Sequence, residues 1–170
     1  MVMTSAEFCG ENYYKHPPLT SEMLAYAENF LGVKLPGLLV ELLRVQNGGY
    51  TKEFGFPMSV RTSWAKDHVP MDELFGIVPR GVRTAHNMVD PELLEVNSAY
   101  LPPKQVLLTG DGHWWITLDY RLRDKPGVLW ADVEMDEYLP IAPTFEAFYA
   151  ELRPTSEFAP DEFEEIEIKL

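Results

Sequence analysis

Residues 106–152 constrain the fold more than any other stretch, because their apolar spacing reads as strand, strand, strand and then helix with turn residues between. Val106, Leu107 and Leu108 make a short apolar strand that ends at Gly110-Asp111-Gly112. Trp114, Ile116, Leu118 and Tyr120 then fall on one face of an alternating strand, and Trp115, Thr117 and Asp119 on the other. Asp124-Lys125-Pro126-Gly127 supplies a hairpin connection longer than the tightest two-residue type. On the return strand Val128, Trp130 and Asp132 alternate with Leu129, Ala131 and Val133, and a further short strand covers residues 138–142. Thr144 caps a helix beginning near Pro143, with Phe145, Phe148, Tyr149 and Leu152 as its buried stripe and Pro154 as its end. Nothing on this hairpin and closing helix has the pattern of a catalytic group.

The preceding half supplies helices. Thr20 or Ser21 can accept from the unpaired first-turn N–H groups of a helix, Glu22 complements its positive end, and Gly32 stops it. Leu24, Ala27 and Leu31 share its inner face. A second helix starts with Pro36 in its first position and carries Leu38, Leu39, Leu42 and Leu43 inward, Glu41 and Arg44 outward. Asn47-Gly48-Gly49 ends it. An anion cradle there is the functional alternative, weakened because the glycines follow a helix instead of starting one. Residues 54–79 predict one or two short strands with loops at Pro57 and Pro70, and Asp90-Pro91-Glu92 predicts a short helix over Leu93, Leu94 and Val96. Helices, then a strand meander, then a closing helix give an α+β fold: an antiparallel or mixed sheet of about four to six strands, two N-terminal helices and a C-terminal closing helix. Residues 1–18 read as an irregular lead-in, 19–153 as the domain and 154–170 as an acidic tail. In that tail Glu157, Asp161, Glu162, Glu164, Glu165 and Glu167 alternate with Phe158, Phe163, Ile166, Ile168 and Leu170. It is either a segment that docks on the domain or on a partner, or a solvated terminus.

Charge narrows the function. Against 27 Asp and Glu stand 14 Lys and Arg, a net charge of -13, which repels phosphate backbones and speeds encounter with a basic partner. Solubility alone is the plainer explanation. No apolar run approaches the roughly 20 residues of a membrane span, and the start lacks the basic-then-apolar order of a signal peptide. The single Cys9 leaves no internal disulfide or cysteine-held zinc and suits a reducing cytoplasm.

Candidate chemistry is sparse. His16, His68, His86 and His113 show no metal-binding i, i+4 pair. Asp111, His113 and Asp119 would share a strand face and could form a metal or acid–base cluster, although Asp111 fits better as a turn aspartate bonding its own backbone. Cys9 has no activating neighbour, and no phosphate loop, dinucleotide fingerprint or nucleophile elbow occurs. Trp114 and Trp130 are expected in the core; for Trp115 and Trp64 core or half-core packing is the default, and partial exposure as interface anchors the alternative.

Three stretches in order, Leu31-Gly32-Val33-Lys34-Leu35-Pro36, Asn47-Gly48-Gly49 and the hairpin with its closing helix, resemble the SUKH superfamily in its Smi/Knr-like branch. Carried over residue by residue, the resemblance covers Leu35, Pro36, Asn47, Gly48, Gly49, Gly110, Asp111, Asp119, Tyr120, Phe145 and Phe148, with Gly112 and Trp130 in the same structural set. The chain departs from the family pattern at His113-Trp114, where a small residue often follows Gly112. The resemblance implies a non-enzymatic cytoplasmic protein without cofactor or metal, monomeric or a weak dimer. It would neutralise a cognate basic toxin, a nuclease among the candidates, by occluding its active site, and would bind neither nucleic acid nor membrane directly. The intracellular scaffold of the Smi/Knr type is the alternative. Asp111, His113, Trp115, Asp119 and Trp64 are the candidate partner-binding residues.

Overall fold

A computed structural model describes residues 2–79 and 86–158; the acidic tail beyond Phe158 and residues 80–85 lie outside the described residues. The lead-in is more ordered than its sequence pattern suggests. Helix α1 (Ser5–Phe8) is closed by a capping box in which Thr4 accepts from the Glu7 N–H and the Glu7 side chain accepts from the Thr4 N–H. Its Phe8 ring packs 5.8 Å from Phe54 and 5.4 Å from Tyr149, and the Tyr149 hydroxyl donates to the Met3 carbonyl at 2.8 Å. One buried aromatic thus stitches the chain start to the last helix, a long-range contact that no local period announces.

Helix α2 (Ser21–Leu31) is capped by the Thr20 hydroxyl, buries Ala27 and stops at Gly32 with φ 71°. Helix α3 (Gly37–Val45) begins one residue later than expected, with Pro36 as its N-cap residue, and buries Leu39, Leu42 and Leu43. Helix α4 (Pro91–Asn97) starts where Asp90 accepts from the Glu92 and Leu93 N–H groups, and α5 (Phe145–Glu151) buries Phe145, Phe148 and Tyr149 behind its Thr144 cap.

The fold is α+β with antiparallel pairing throughout the described sheets, but the strands divide into two sheets instead of one. The first has the order β2-β1-β7, from β1 (Gly49–Pro57), β2 (His68–Leu74) and β7 (Arg153–Pro154). The second is the meander β3-β4-β5-β6, from β3 (Gln105–Gly110), β4 (Trp114–Asp119), β5 (Gly127–Asp132) and β6 (Glu137–Ala142). The Phe75 N–H donating to the Leu108 carbonyl at 2.8 Å ties them together. Pro70, expected in a loop, lies inside β2 opposite Gly55; β2 is an edge strand, where a missing N–H leaves no ladder bond unmade. Helix α5 ends at Glu151, before the Pro154 expected to stop it, and Arg153 and Pro154 pair with β1.

The larger departure concerns β4. Alternation predicts one polar, partly exposed face, yet Trp115, Ile116, Thr117 and Leu118 are all buried. The Thr117 hydroxyl donates to Gln105 Oε1 at 2.5 Å, and Gln105 Nε2 donates to Asp119 Oδ1 at 2.8 Å. Side chains on β3 and β4 therefore satisfy each other's polar groups, which removes the usual penalty for covering that face.

Candidate functional site

In an antiparallel meander, alternate turns lie at the same end of the sheet. The β3–β4 turn at residues 111–113 therefore meets the β5–β6 turn at residues 133–136, while the β4–β5 connection lies at the far end. The register places Trp114 opposite Asp132, and the Val133 N–H donates to the His113 carbonyl at 2.9 Å. Asp111 Oδ1 accepts from the N–H groups of His113 (2.9 Å) and Trp114 (3.2 Å), which sets the first turn as an aspartate there should. Asp132 does the same for the second turn, accepting from Glu134 and Met135. His113 Nδ1 lies 2.6 Å from Glu134 Oε1 and bridges the two.

A third segment covers this end. The Ser63 hydroxyl donates to Asp132 Oδ2 at 2.5 Å, and Glu137 Oε1 accepts from both the Ser63 N–H (3.1 Å) and Trp130 Nε1 (2.8 Å). These bonds set Trp64 edge-on to Trp114, with ring centroids 5.4 Å apart, and Trp114 stacks on Trp130 at the same separation. The result is a tryptophan ladder running from the core to a ring that is 44% exposed. In the two turns at this end of the sheet Met135 is 68% exposed, and Asp111, Glu134 and Asp136 are exposed as well. An amphipathic aromatic anchor ringed by carboxylates can seat an apolar side chain and the basic residues next to it.

Sequence reasoning placed two members of this surface, Asp111 and His113, together with the exposed Trp64. The exposure expected of the tryptophan pair is reversed, with Trp115 buried and Trp114 half-buried. Trp115 is 2% exposed and faces Phe75 edge-on at 6.0 Å, so Trp114 is the one that reaches the surface ladder. Asp119 is also elsewhere. It sits at the opposite end of β4, a strand of six residues spanning about 17–20 Å. There Arg121 grips it through Nε at 2.9 Å and the terminal nitrogen at 2.7 Å. Burial pushes the Asp119 carboxyl up, but the hydrogen bonds from Arg121 and Gln105 outweigh it and hold the group below the usual carboxylate range. Asp111, His113 and Asp119 therefore form no joint cluster. Among the described residues no group of three or more His, Cys, Asp or Glu is arranged to hold a metal ion. Glu134, Met135, Asp136 and Ser63 were missed; the meander's turn parity was the signal that could have found the first three.

The two ends of the sheet differ in charge. Asp111, Asp132, Glu134, Asp136 and Glu137 crowd one end, covered by a segment that brings Arg61 and Lys66. Lys104, Arg121, Arg123 and Lys125 gather at the other, with Asp119 and Asp124.

Residues 18–151 match the SMI1 / KNR4 family (SUKH-1). The chain belongs to that family. No curated protein matches it in direct sequence comparison. Among the described residues, no helix is long and apolar enough to cross a membrane.

Several residues on which the family resemblance rests lie in packing positions. Leu35 is buried, and Tyr120 donates from its hydroxyl to the Lys34 carbonyl at 2.6 Å, fixing the α2–α3 link to the sheet. Burial, followed by the nearby Glu28 charge, pushes that phenol upward. Asn47 clamps three segments: Nδ2 donates to the carbonyls of Pro17 (2.8 Å) and Ile77 (2.7 Å), and Oδ1 accepts from the Ile77 N–H at 2.8 Å. A Cβ on Gly48, which has φ 82°, would lie 2.7 Å from the Gly76 nitrogen. Asn47-Gly48-Gly49 is thus filled by its own chain and offers no anion cradle. Beside it Tyr14 stacks on His86 at 4.3 Å and donates to Glu73 at 2.8 Å, and burial lowers the pKa of His16.

Proposed function

We propose that this SUKH-1 protein is a non-enzymatic binding protein that neutralises a cognate toxin by covering its active site. The acidic, tryptophan-anchored end of the four-stranded sheet is the docking surface. The observation that carries the reading is the exposed Trp64 ring standing on the Trp114–Trp130 stack among Asp111, Glu134 and Asp136. A basic, nucleic-acid-cleaving domain is the partner that fits. The net charge of -13 would accelerate its approach, and the concentration of carboxylates at one end would orient it. The protein acts in the cytoplasm as a monomer or weak dimer and contacts neither nucleic acid nor membrane directly. Family membership equally accommodates a Smi/Knr-type scaffold, which would use the same surface on a partner that is no toxin.

The test is capture by the product of the adjacent gene, with growth rescue on co-expression. A tight complex is expected, with Trp64→Ala weakening it by about 2 kcal/mol, on the order of 30-fold, as an interface anchor does. Glu134→Lys with Asp136→Lys should slow association and flatten its dependence on salt. A neighbour without toxicity, together with no tight partner, would remove the toxin reading. A tight complex indifferent to all three substitutions would move the docking surface elsewhere.

A further inference from the structure

Two clefts run along the first half of β3 and meet there. One, of about 730 Å³, lies between α2 and the sheet, with Leu24, Leu31, Val33 and Val106 among its walls. The other, of about 460 Å³, lies between the end of α2 and the α4 segment, with Phe30, Leu94, Leu101 and Leu107. Leu31, Lys104 and Gln105 line both, so the clefts form one trough. Phe30 stands at its rim with 42% of its surface exposed. Along this stretch β3 is also a sheet edge, bonded to β4 on one side only.

We propose that this trough is the docking site of the chain's own C-terminal segment, residues 159–170. Chemistry selects that occupant. An extended Ile166-Glu167-Ile168-Lys169-Leu170 would put Ile166, Ile168 and Leu170 on one side, matching an apolar trough, and the charges on the other. The segment carries five carboxylates (Asp161, Glu162, Glu164, Glu165, Glu167) against Lys169, a net charge of -4, and the rest of the chain carries the remaining -9 of -13, so most of the protein repels it. The trough is the exception. Glu28 in its wall is already engaged by Lys34 at 3.4 Å and by the Leu35 N–H at 2.8 Å. Lys104 and Asp124 both line the trough, and Lys104 has no carboxylate partner within bonding distance among the described residues. Reach is sufficient. The described chain ends at Phe158, stacked on His68 at 4.3 Å over the first sheet, and twelve further residues extend about 40 Å, roughly the width of a domain this size. The contact would make the segment an internal ligand that competes with any acidic, apolar peptide for the trough. It stands whether or not a toxin is the partner of the other surface.

Hydrogen exchange on the full chain and on a chain ending at Phe158 tests this. Peptides covering residues 29–34 and 102–107 should exchange about tenfold more slowly in the full chain, as expected of a site roughly nine-tenths occupied. A synthetic 159–170 peptide added to the shortened chain should restore that protection. Ile166→Asp with Ile168→Asp should behave like the shortened chain, and Lys104→Glu should weaken protection without disturbing the rest of the map. Equal exchange in the two chains at these peptides, protection appearing elsewhere, or protection that disappears on dilution and so belongs to a second copy, would each overturn the proposal.

Discussion

Asn47→Ala is the perturbation that best separates a packing role from a binding role for Asn47-Gly48-Gly49. The side chain makes three hydrogen bonds, to Pro17, to the Ile77 carbonyl and from the Ile77 N–H, and both groups of Ile77 are buried. Alanine removes all three and leaves the Ile77 pair without a partner in a region closed to water. At about 1 kcal/mol per bond, with more for each orphaned buried group, the loss should reach about 3 kcal/mol or above. For a chain of this length that lowers the melting temperature by about 6–12 °C. Urea unfolding followed by tryptophan fluorescence would give the same number through a shifted midpoint with an unchanged slope. Asn47→Asp sharpens the test. It keeps the acceptor for the Ile77 N–H but turns a carboxylate toward two carbonyls, which raises its folded pKa above the unfolded value. The protonated form is therefore the tolerated one, and its stability contribution is lost as pH rises through the folded pKa. The aspartate variant should be closer to the parent at acidic pH than at neutral pH. A loss below about 1 kcal/mol for alanine, or no pH dependence for aspartate, would refute the clamp.

Two further outcomes follow from the sheet. Gly110→Ala would bring a Cβ to 2.2 Å from the Trp115 ring and 2.4 Å from the Trp114 carbonyl, so the strand must shift; a loss of about 3 kcal/mol or more is expected, seen in thermal melts and in altered tryptophan fluorescence. Arg121→Ala removes the cation that helps hold the Asp119 carboxyl below its ordinary range. A depressed pKa stabilises above the unfolded value and is lost as pH falls through the folded one, so the variant should be weaker than the parent at neutral pH. The difference should vanish in strong acid, as chemical unfolding at several pH values would record.

Local signals in the sequence carried α2, α4 and α5 because each begins on a side-chain cap, at Thr20, Asp90 and Thr144, and α3, which has no such cap, through its leucine stripe. They failed where partners are distant. The Thr4–Glu7 capping box was readable, yet only the contact of Phe8 with Phe54 and Tyr149 turns the lead-in into structure. Polarity was a misleading guide on β4, since Thr117 and Asp119 suggested a wet face while Gln105, on a neighbouring strand, satisfies both.

The same limitation explains why the grouped residues separate in the fold. Residues close in sequence, Asp111, His113 and Asp119, were grouped by strand alternation, which describes faces but not ends. A binding surface at the end of a sheet is built from turns, and in a meander the partners of one turn come from two connections later. Once β3 to β6 are ordered, residues 111–113 and 133–136 must meet and Asp119 must lie away from both. That parity also separates the charges, placing Glu134 and Asp136 beside Asp111 and sending Arg121, Arg123 and Lys125 to the opposite end. A partner steered by this field would arrive at the tryptophan ladder, and the polarity follows from strand order, so a substitution that preserves net charge but exchanges Glu134 with Arg123 should slow association while leaving the fold intact.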